Sequence, residues 1–196
     1  HTAGEITPLT KELLEYLSTN KSSTDERVYK YIDIITAIKT KPFLLLAGIS
    51  GTGKSRIVRE LARAYWYENS AEYKAQKPKN FEMIQVKPNW HDSTELLGYY
   101  SRLGKGGYQF TKFVKFLVKA KMFPTVPFFV CLDEMNLAPP EVLKRFLSVF
   151  SEGSIQILEG DSSTLRPAPG FHFIATQNPA EGFEGRKNLP REIQKY

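Results

Sequence analysis

The 196-residue sequence predicts an α/β fold, a doubly wound and mainly parallel sheet with helices on both faces. Three observations carry this. Four short apolar runs, at 42–48, 81–87, 127–134 and 171–178, have the length and unbroken hydrophobicity of buried parallel strands. Segments of helical periodicity stand between them, and strand-helix-strand alternation means crossover units with parallel pairing. The first run passes through a glycine-rich loop straight into a helical pattern, and in such sheets ligands gather at the carboxyl ends of the strands.

Two helical patterns precede the first strand. In TPLTKELLEYL, Leu9, Leu13, Leu14 and Leu17 recur at helical spacing. In TDERVYKYIDIITAIK, a Thr-Asp cap opens a helix with Val28, Ile32, Ile35 and Ile38 along one face. The polar TNKSST between them reads as a connection, so residues 1–40 are expected to be an N-terminal helical linker and 41–196 the α/β core. KSRIVRELARAYWYE follows the first strand, TKFVKFLVKAK precedes the third, and PPEVLKRFLSVFSE follows it. In TKFVKFLVKAK the residues Lys112, Lys115 and Lys119 share a face read as solvated, and Phe113, Phe116, Leu117 and Ala120 share another. Two stretches read as insertions: LLGYYSRLGKGGYQF before that helix, and GSIQILEGDSSTLRPAPG, which alternates like a hairpin.

Composition sets the class. With 41% hydrophobic and 24% charged residues the chain reads as an ordinary globular protein. No apolar run reaches the ~18–20 residues that span a bilayer, and HTAGEITPLTKELLEYL lacks the basic and apolar regions of a secretory signal. The single cysteine, Cys131, sits in the apolar FFVCLDE, which makes it a core residue of a strand and excludes an internal disulfide. Together these features suggest the cytoplasm. The formal charge of +6 is compatible with nucleic-acid binding without demonstrating it, and part of it is expected to face a polyphosphate.

Gly48-Ile49-Ser50-Gly51-Thr52-Gly53-Lys54-Ser55 satisfies G-x-x-x-x-G-K-[ST] in full, with a strand before it and a helix, opened by Lys54, Ser55 and Arg56, after it. The glycines let successive N–H groups converge on phosphate oxygens at the positive end of a helix. Lys54 is placed to reach the outer phosphates and the Ser55 hydroxyl to ligate Mg²⁺. In FFVCLDEMN a buried strand delivers Asp133 and Glu134 at its carboxyl end, where unpaired carboxylates are expensive. Asp133 suits a direct or water-bridged Mg²⁺ partner, and Glu134 the base that orients and deprotonates an attacking water. FHFIATQNP ends a further strand in Gln177-Asn178, whose tip is expected beside the acids, where the Asn178 amide can hold the lytic water or touch a γ-phosphate.

These residues resemble the AAA+ ATPases, in the branch that holds McrB-type restriction motors, midasin and dynein-related modules. GISGTGKS is similar to the Walker A loop of that branch and LDEMNLAPPEVL to its Walker B run; VKPNWHDSTELLGYY and RPAPGFHFIATQNPAEGFEGRKNLP also resemble it, over roughly residues 40–196. The resemblance implies the large subdomain of a P-loop NTPase with a helix-2 insert, here about Leu96–Phe110, and a β-hairpin before the sensor strand, here about Ser154–Arg166. It implies that Asn178 is sensor 1, that Glu134, Lys54 and Asn178 are catalytic, and that Ser55 and Asp133 hold Mg²⁺. It further implies a ring, most simply a hexamer of this chain, with an accessory subunit and either DNA or a protein complex as its substrate. Tyr99, Tyr100 and Tyr108 of the insert are then candidates to touch that substrate, or to pack within it.

The sequence departs from the family pattern in three places. Gln-Asn-Pro-Ala stands where McrB-type GTPases have Asn-Thr-Ala-Asp, and no Asn-Lys-x-Asp guanine motif is present, so ATP is favoured over GTP. The family's Arg-Phe pair after sensor 1 is replaced by Lys195-Tyr196 in LPREIQKY, which leaves Arg186 and Arg191 as candidate trans fingers. A fifth strand and the helical lid with its sensor 2 arginine are missing before Tyr196, so the sequence reads as a piece of a longer protein. Two further readings stay open: a nucleotide-gated scaffold that hydrolyses poorly, and a P-loop small-molecule kinase, which the Asp-Glu pair and sensor Asn suit less well than water as the acceptor.

Overall fold

The computed structural model describes residues 26–40, 43–66, 70–92, 94–143, 155–156 and 164–179. Its central sheet holds the four strands that the apolar runs predict: β1 (Phe43–Ala47), β2 (Phe81–Gln85), β5 (Phe128–Asp133) and β8 (Phe171–Gln177). They lie in the order β1-β8-β5-β2, and every pairing is parallel. The two middle strands are buried on both faces, whereas β1 and β2 at the edges are only partly covered. Because β8 is inserted between β1 and β5, the tips of strands far apart in sequence come together. Ala47 is in register with Gln177, and Gly48 N–H donates to the Gln177 carbonyl at 3.2 Å.

Successive side chains of a strand point to opposite faces, and each face carries its own apolar cluster. On one, Phe129, Cys131 and Ile174 meet Ile57, Val58 and Leu61 of α2 (Lys54–Arg63) and Ile34 of α1 (Glu26–Thr40). On the other, Phe128, Val130, Leu132, Phe171 and Phe173 meet Phe113, Phe116 and Leu117 of α5 (Lys112–Met122). The ring of Phe116 stands edge-on to Phe128 and Phe171, with centroids 5.2 and 5.7 Å away. Each such buried ring contributes about 1.5–3 kcal/mol of transfer free energy. The polar face of α5 is as the periodicity predicts for Lys112 and Lys115, which are exposed. Lys119 departs from it. Its ammonium donates to the Lys79 carbonyl at 2.7 Å and lies over the Phe128 ring, and burial lowers its pKa.

Among the described side chains of α1 the most buried is Ile34, one position off the predicted stripe, while Ile35 and Ile38 pack only partly against the cluster. The pattern that ran on through AYWYE also breaks early, since α2 ends at Arg63. Trp66 has left the helix and donates its indole N–H to Asn80 Oδ1 at 2.7 Å. Asn80 is wholly buried, and its amide donates to the carbonyls of Ala62 and Pro127 at 2.9 and 3.0 Å, tying the end of α2 to the start of β5. A one-turn helix, α3 (Ala71–Lys74), has no counterpart in the sequence reading.

The helix-2 insert is a short helix, α4 (Thr94–Leu97), followed by an antiparallel hairpin of β3 (Gly98–Ser101) and β4 (Gly107–Phe110). Gly98 has φ +99°, and a Cβ there would stand 2.1 Å from the Gln109 carbonyl oxygen, so only glycine allows this pairing. The predicted hairpin is present as β6 (Ile155–Gln156) paired antiparallel with β7 (Thr164–Leu165), and the hairpin within the insert is additional to it. The predicted first helix at 7–17 and the candidate fingers Arg186 and Arg191 lie outside the described residues.

Candidate functional site

A cavity of about 250 Å³ opens at the carboxyl ends of β1, β5 and β8. The loop after β1 lines one side of it with Ser50, Gly51, Gly53, Lys54, Ser55 and Arg56; Asp133, Glu134, Thr176 and Asn178 line the other. Gly51 and Gly53 both have φ +82°, and a Cβ at either would meet nothing within 4 Å. These glycines therefore serve backbone conformation rather than close approach: the left-handed turn they make aims the following N–H groups outward at the start of α2. Thr52 fastens the loop from below, its hydroxyl donating to the Ile49 carbonyl at 2.9 Å. Ile49 itself is 67% exposed.

The Lys54 ammonium donates to the carbonyls of Gly48 and Ile49 and to Asn178 Oδ1, each at 2.8 Å. Asn178 passes the connection on, its Nδ2 donating to Glu134 Oε1 at 2.6 Å. One amide thus joins the loop lysine to the strand-tip acid, although 124 positions separate it from the first and 44 from the second. The Ser55 hydroxyl donates to Asp133 Oδ1 at 2.5 Å. Asp133 and Glu134 are half-buried and hydrogen-bonded by hydroxyls and an amide, so the cost of unpaired carboxylates at this strand end is met in part by the protein itself. Glu134 is the one non-glycine residue with positive φ among those described, at φ 55° and ψ 47°. A left-handed non-glycine costs roughly 1–2 kcal/mol and persists where its surroundings hold it.

This donor set fits a Mg²⁺-nucleotide. A hydroxyl and a carboxylate oxygen share one point of the cavity, a lysine and turned-out amides face it, and Mg²⁺ is commonly held by one or two protein oxygens together with phosphates. Among the described residues no three His, Cys, Asp or Glu side chains are grouped to hold a metal by themselves.

Comparison with known proteins agrees with that geometry. Residues 43–195 match the model of the AAA domain, dynein-related subfamily. The chain belongs to that AAA family. It is 29% identical to midasin of Giardia intestinalis over 166 residues and 30% identical to midasin of Dictyostelium discoideum over 158. These alignments take in 82% and 80% of this chain, but only 3% and 2% of those proteins. A crystal structure of a candidate ATPase from Cytophaga hutchinsonii shares the fold, with a TM-score of 0.60 at 24% identity over 94% of this chain and 47% of that one. Membership brings nucleotide-dependent AAA+ activity of the NTP-hydrolysing class. No helix among the described residues is long and apolar enough to cross a membrane.

Within this AAA domain two residues of the site escaped the sequence reading. Thr176, 1% exposed, donates its hydroxyl to Asp133 Oδ1 at 2.7 Å and accepts the Glu134 N–H at 3.0 Å. Asn136, equally buried, donates its amide to the Asn178 carbonyl at 2.9 Å. A threonine in an apolar strand looks like ordinary filler; the available signal was its place two residues before Asn178, on the side opposite Gln177. Cys131 is a core residue as expected. Burial, and then the charge of Asp133, push its thiol up to about 12. Arg56 lines the mouth with its side chain 75% exposed, its Nε 3.9 Å from Glu60. Of the insert aromatics, Tyr99 and Tyr100 are exposed, whereas Tyr108 turns its hydroxyl back onto the Gly98 carbonyl at 3.1 Å and packs on Phe110.

Proposed function

We propose that this AAA domain binds ATP with Mg²⁺ and hydrolyses it, as one member of a cytoplasmic ring, most simply a hexamer, that remodels or translocates a macromolecule with the help of an accessory subunit. One observation supports this above all: Lys54, Ser55, Asp133, Glu134 and Asn178, from three strand tips, line one cavity and are joined by direct hydrogen bonds. Lys54 and the amides from Gly51 to Ser55 hold the outer phosphate oxygens. Ser55 and Asp133 would hold Mg²⁺, which supplies positive charge against those oxygens when bound. Glu134 takes the proton of the attacking water at Oε1. The Asn178 amide, already on that oxygen, keeps acid and water in line. ATP is preferred to GTP because the guanine-associated runs are missing from the sequence. Arg186 and Arg191 are the fingers proposed to act on a neighbour's nucleotide.

Glu134→Gln tests the reading. Loss of the base is expected to lower turnover by about 10²–10⁴-fold and to leave the nucleotide Kd within about threefold. Undiminished phosphate release would refute the assignment. The ring is tested separately by phosphate release per subunit against protein concentration. A rate that rises steeply supports it, and a low, flat rate makes the domain a nucleotide-gated scaffold instead.

A further inference from the structure

The charge of this chain is segregated. Of its 27 Lys and Arg, six lie between Leu96 and Leu132, a stretch with no Asp or Glu at all, and the remaining 21 are balanced by the 21 acids elsewhere. The whole net charge of +6 therefore resides on the β3–β4 hairpin and α5. Four of the six are exposed on consecutive elements: Arg102 and Lys105 at the hairpin tip, and Lys112 and Lys115 in the first turns of α5. β4 runs directly into Thr111, which caps α5 by accepting the Val114 N–H and donates its own hydroxyl to the Leu96 carbonyl, so the start of α5 is tied to α4 just before β3 begins.

Two further features give this surface a preference. The first turn of α5 carries a lysine and no acid, so a cation sits at the positive end of the helix, the reverse of what stabilises a helix by itself. Beside it the hairpin presents rings. Tyr100 pairs across the strands with Tyr108, Phe110 lies on the same face with its ring 4.8 Å from that of Tyr108, and Tyr100 and Phe110 are 49% and 46% exposed. An acidic protein surface would use the charges but has no need of exposed aromatic faces. Unpaired bases on a phosphate chain use both.

We propose that the face formed by the β3–β4 hairpin and the start of α5 binds single-stranded nucleic acid, with Arg102, Lys105, Lys112 and Lys115 on phosphates and Tyr100 and Phe110 stacking on bases. As the substrate of the motor this rests on the proposed ATPase reading; as a binding surface it does not, so it is measured without nucleotide. The probe is a fluorescein-labelled 20-nucleotide oligothymidylate, its anisotropy titrated with the full chain at several salt concentrations. Saturable binding is expected, with a log–log salt slope of about −3 for four phosphate contacts. Lys112→Gln with Lys115→Gln should reduce that slope by about 1.4. Tyr100→Ala and Phe110→Ala should each weaken binding by about fivefold or more without changing it. Circular dichroism and nucleotide binding check that the variants are folded. Absence of saturable binding overturns the proposal. So does an affinity unmoved by both aromatic variants together with equal competition by polyglutamate, which would make the face a site for acidic protein.

Discussion

Replacing Thr176 with valine keeps the shape of the side chain and removes one hydroxyl, with two consequences that the structure separates. The hydroxyl donates to a carboxylate at 2.7 Å and accepts the Glu134 N–H at 3.0 Å, at a position 1% exposed. A hydrogen bond to a charged group contributes about 1.5–3 kcal/mol, and a buried N–H left unpaired costs about 1–3 kcal/mol. Valine recovers part of this by burying a methyl group, which leaves a net loss of about 3 kcal/mol. For a chain of this length that lowers Tm by about 7 °C and leaves the domain folded. The second consequence is local. The Thr176 bond is one of the constraints that hold Glu134 in its left-handed conformation, and without it the backbone is free to relax and carry the carboxylate away from Asn178. Turnover should therefore fall by at least about tenfold at temperatures where the variant is fully folded, and Thr176→Ser, which keeps the hydroxyl, should restore it. Thermal unfolding and phosphate release on the same samples decide the matter. An unchanged Tm would refute the energetic argument, and a lowered Tm with unchanged turnover would refute the positioning of Glu134.

Other parts of the molecule give sharp expectations. Burial pushes the half-buried imidazole of His172, which stacks on Phe129 with centroids 5.0 Å apart, down from the usual 6.5 to about 4. Between pH 6.5 and 4 the unfolded chain therefore takes up a proton that the folded one refuses. Stability should fall by up to about 3 kcal/mol as pH drops through that window and level off below it. Urea titrations at a series of pH values should show the slope in the parent chain and not in His172→Gln; the same slope in both would assign it elsewhere. Gly98→Ala drives a Cβ into the Gln109 carbonyl at 2.1 Å and should open the insert hairpin. Trypsin should then cut at Arg102 and Lys105 several-fold faster while nucleotide affinity is unchanged, and equal cleavage rates would show that the hairpin adapts.

Much of the site was legible because its parts are local. The glycine loop declares itself by spacing within eight residues, and the acid pair by following an unbroken apolar run. The β6–β7 hairpin was visible as alternation, whereas LLGYYSRLGKGGYQF was legible only as an insertion and its hairpin was not. What stayed hidden depends on a partner brought from elsewhere. Thr176 gains its place only because β8 lies against β5, Ile34 rather than Ile35 faces inward because of how α1 rolls onto the sheet, and Trp66 leaves α2 because buried Asn80 offers it an acceptor.

The sequence alone determined the strand-helix alternation, the phosphate loop, the acids at 133–134 and the amide at 178, since hydrophobic period and turn chemistry are short-range properties of the chain. The tip of β8 was already expected beside the acids of β5; only the tertiary structure decided that β8 also lies against β1, and so enters between the two. That insertion, fixed by burying β5 and β8 on both faces, puts Asn178 within hydrogen-bond reach of Lys54 and Glu134 together, and so turns three separate strand ends into one site.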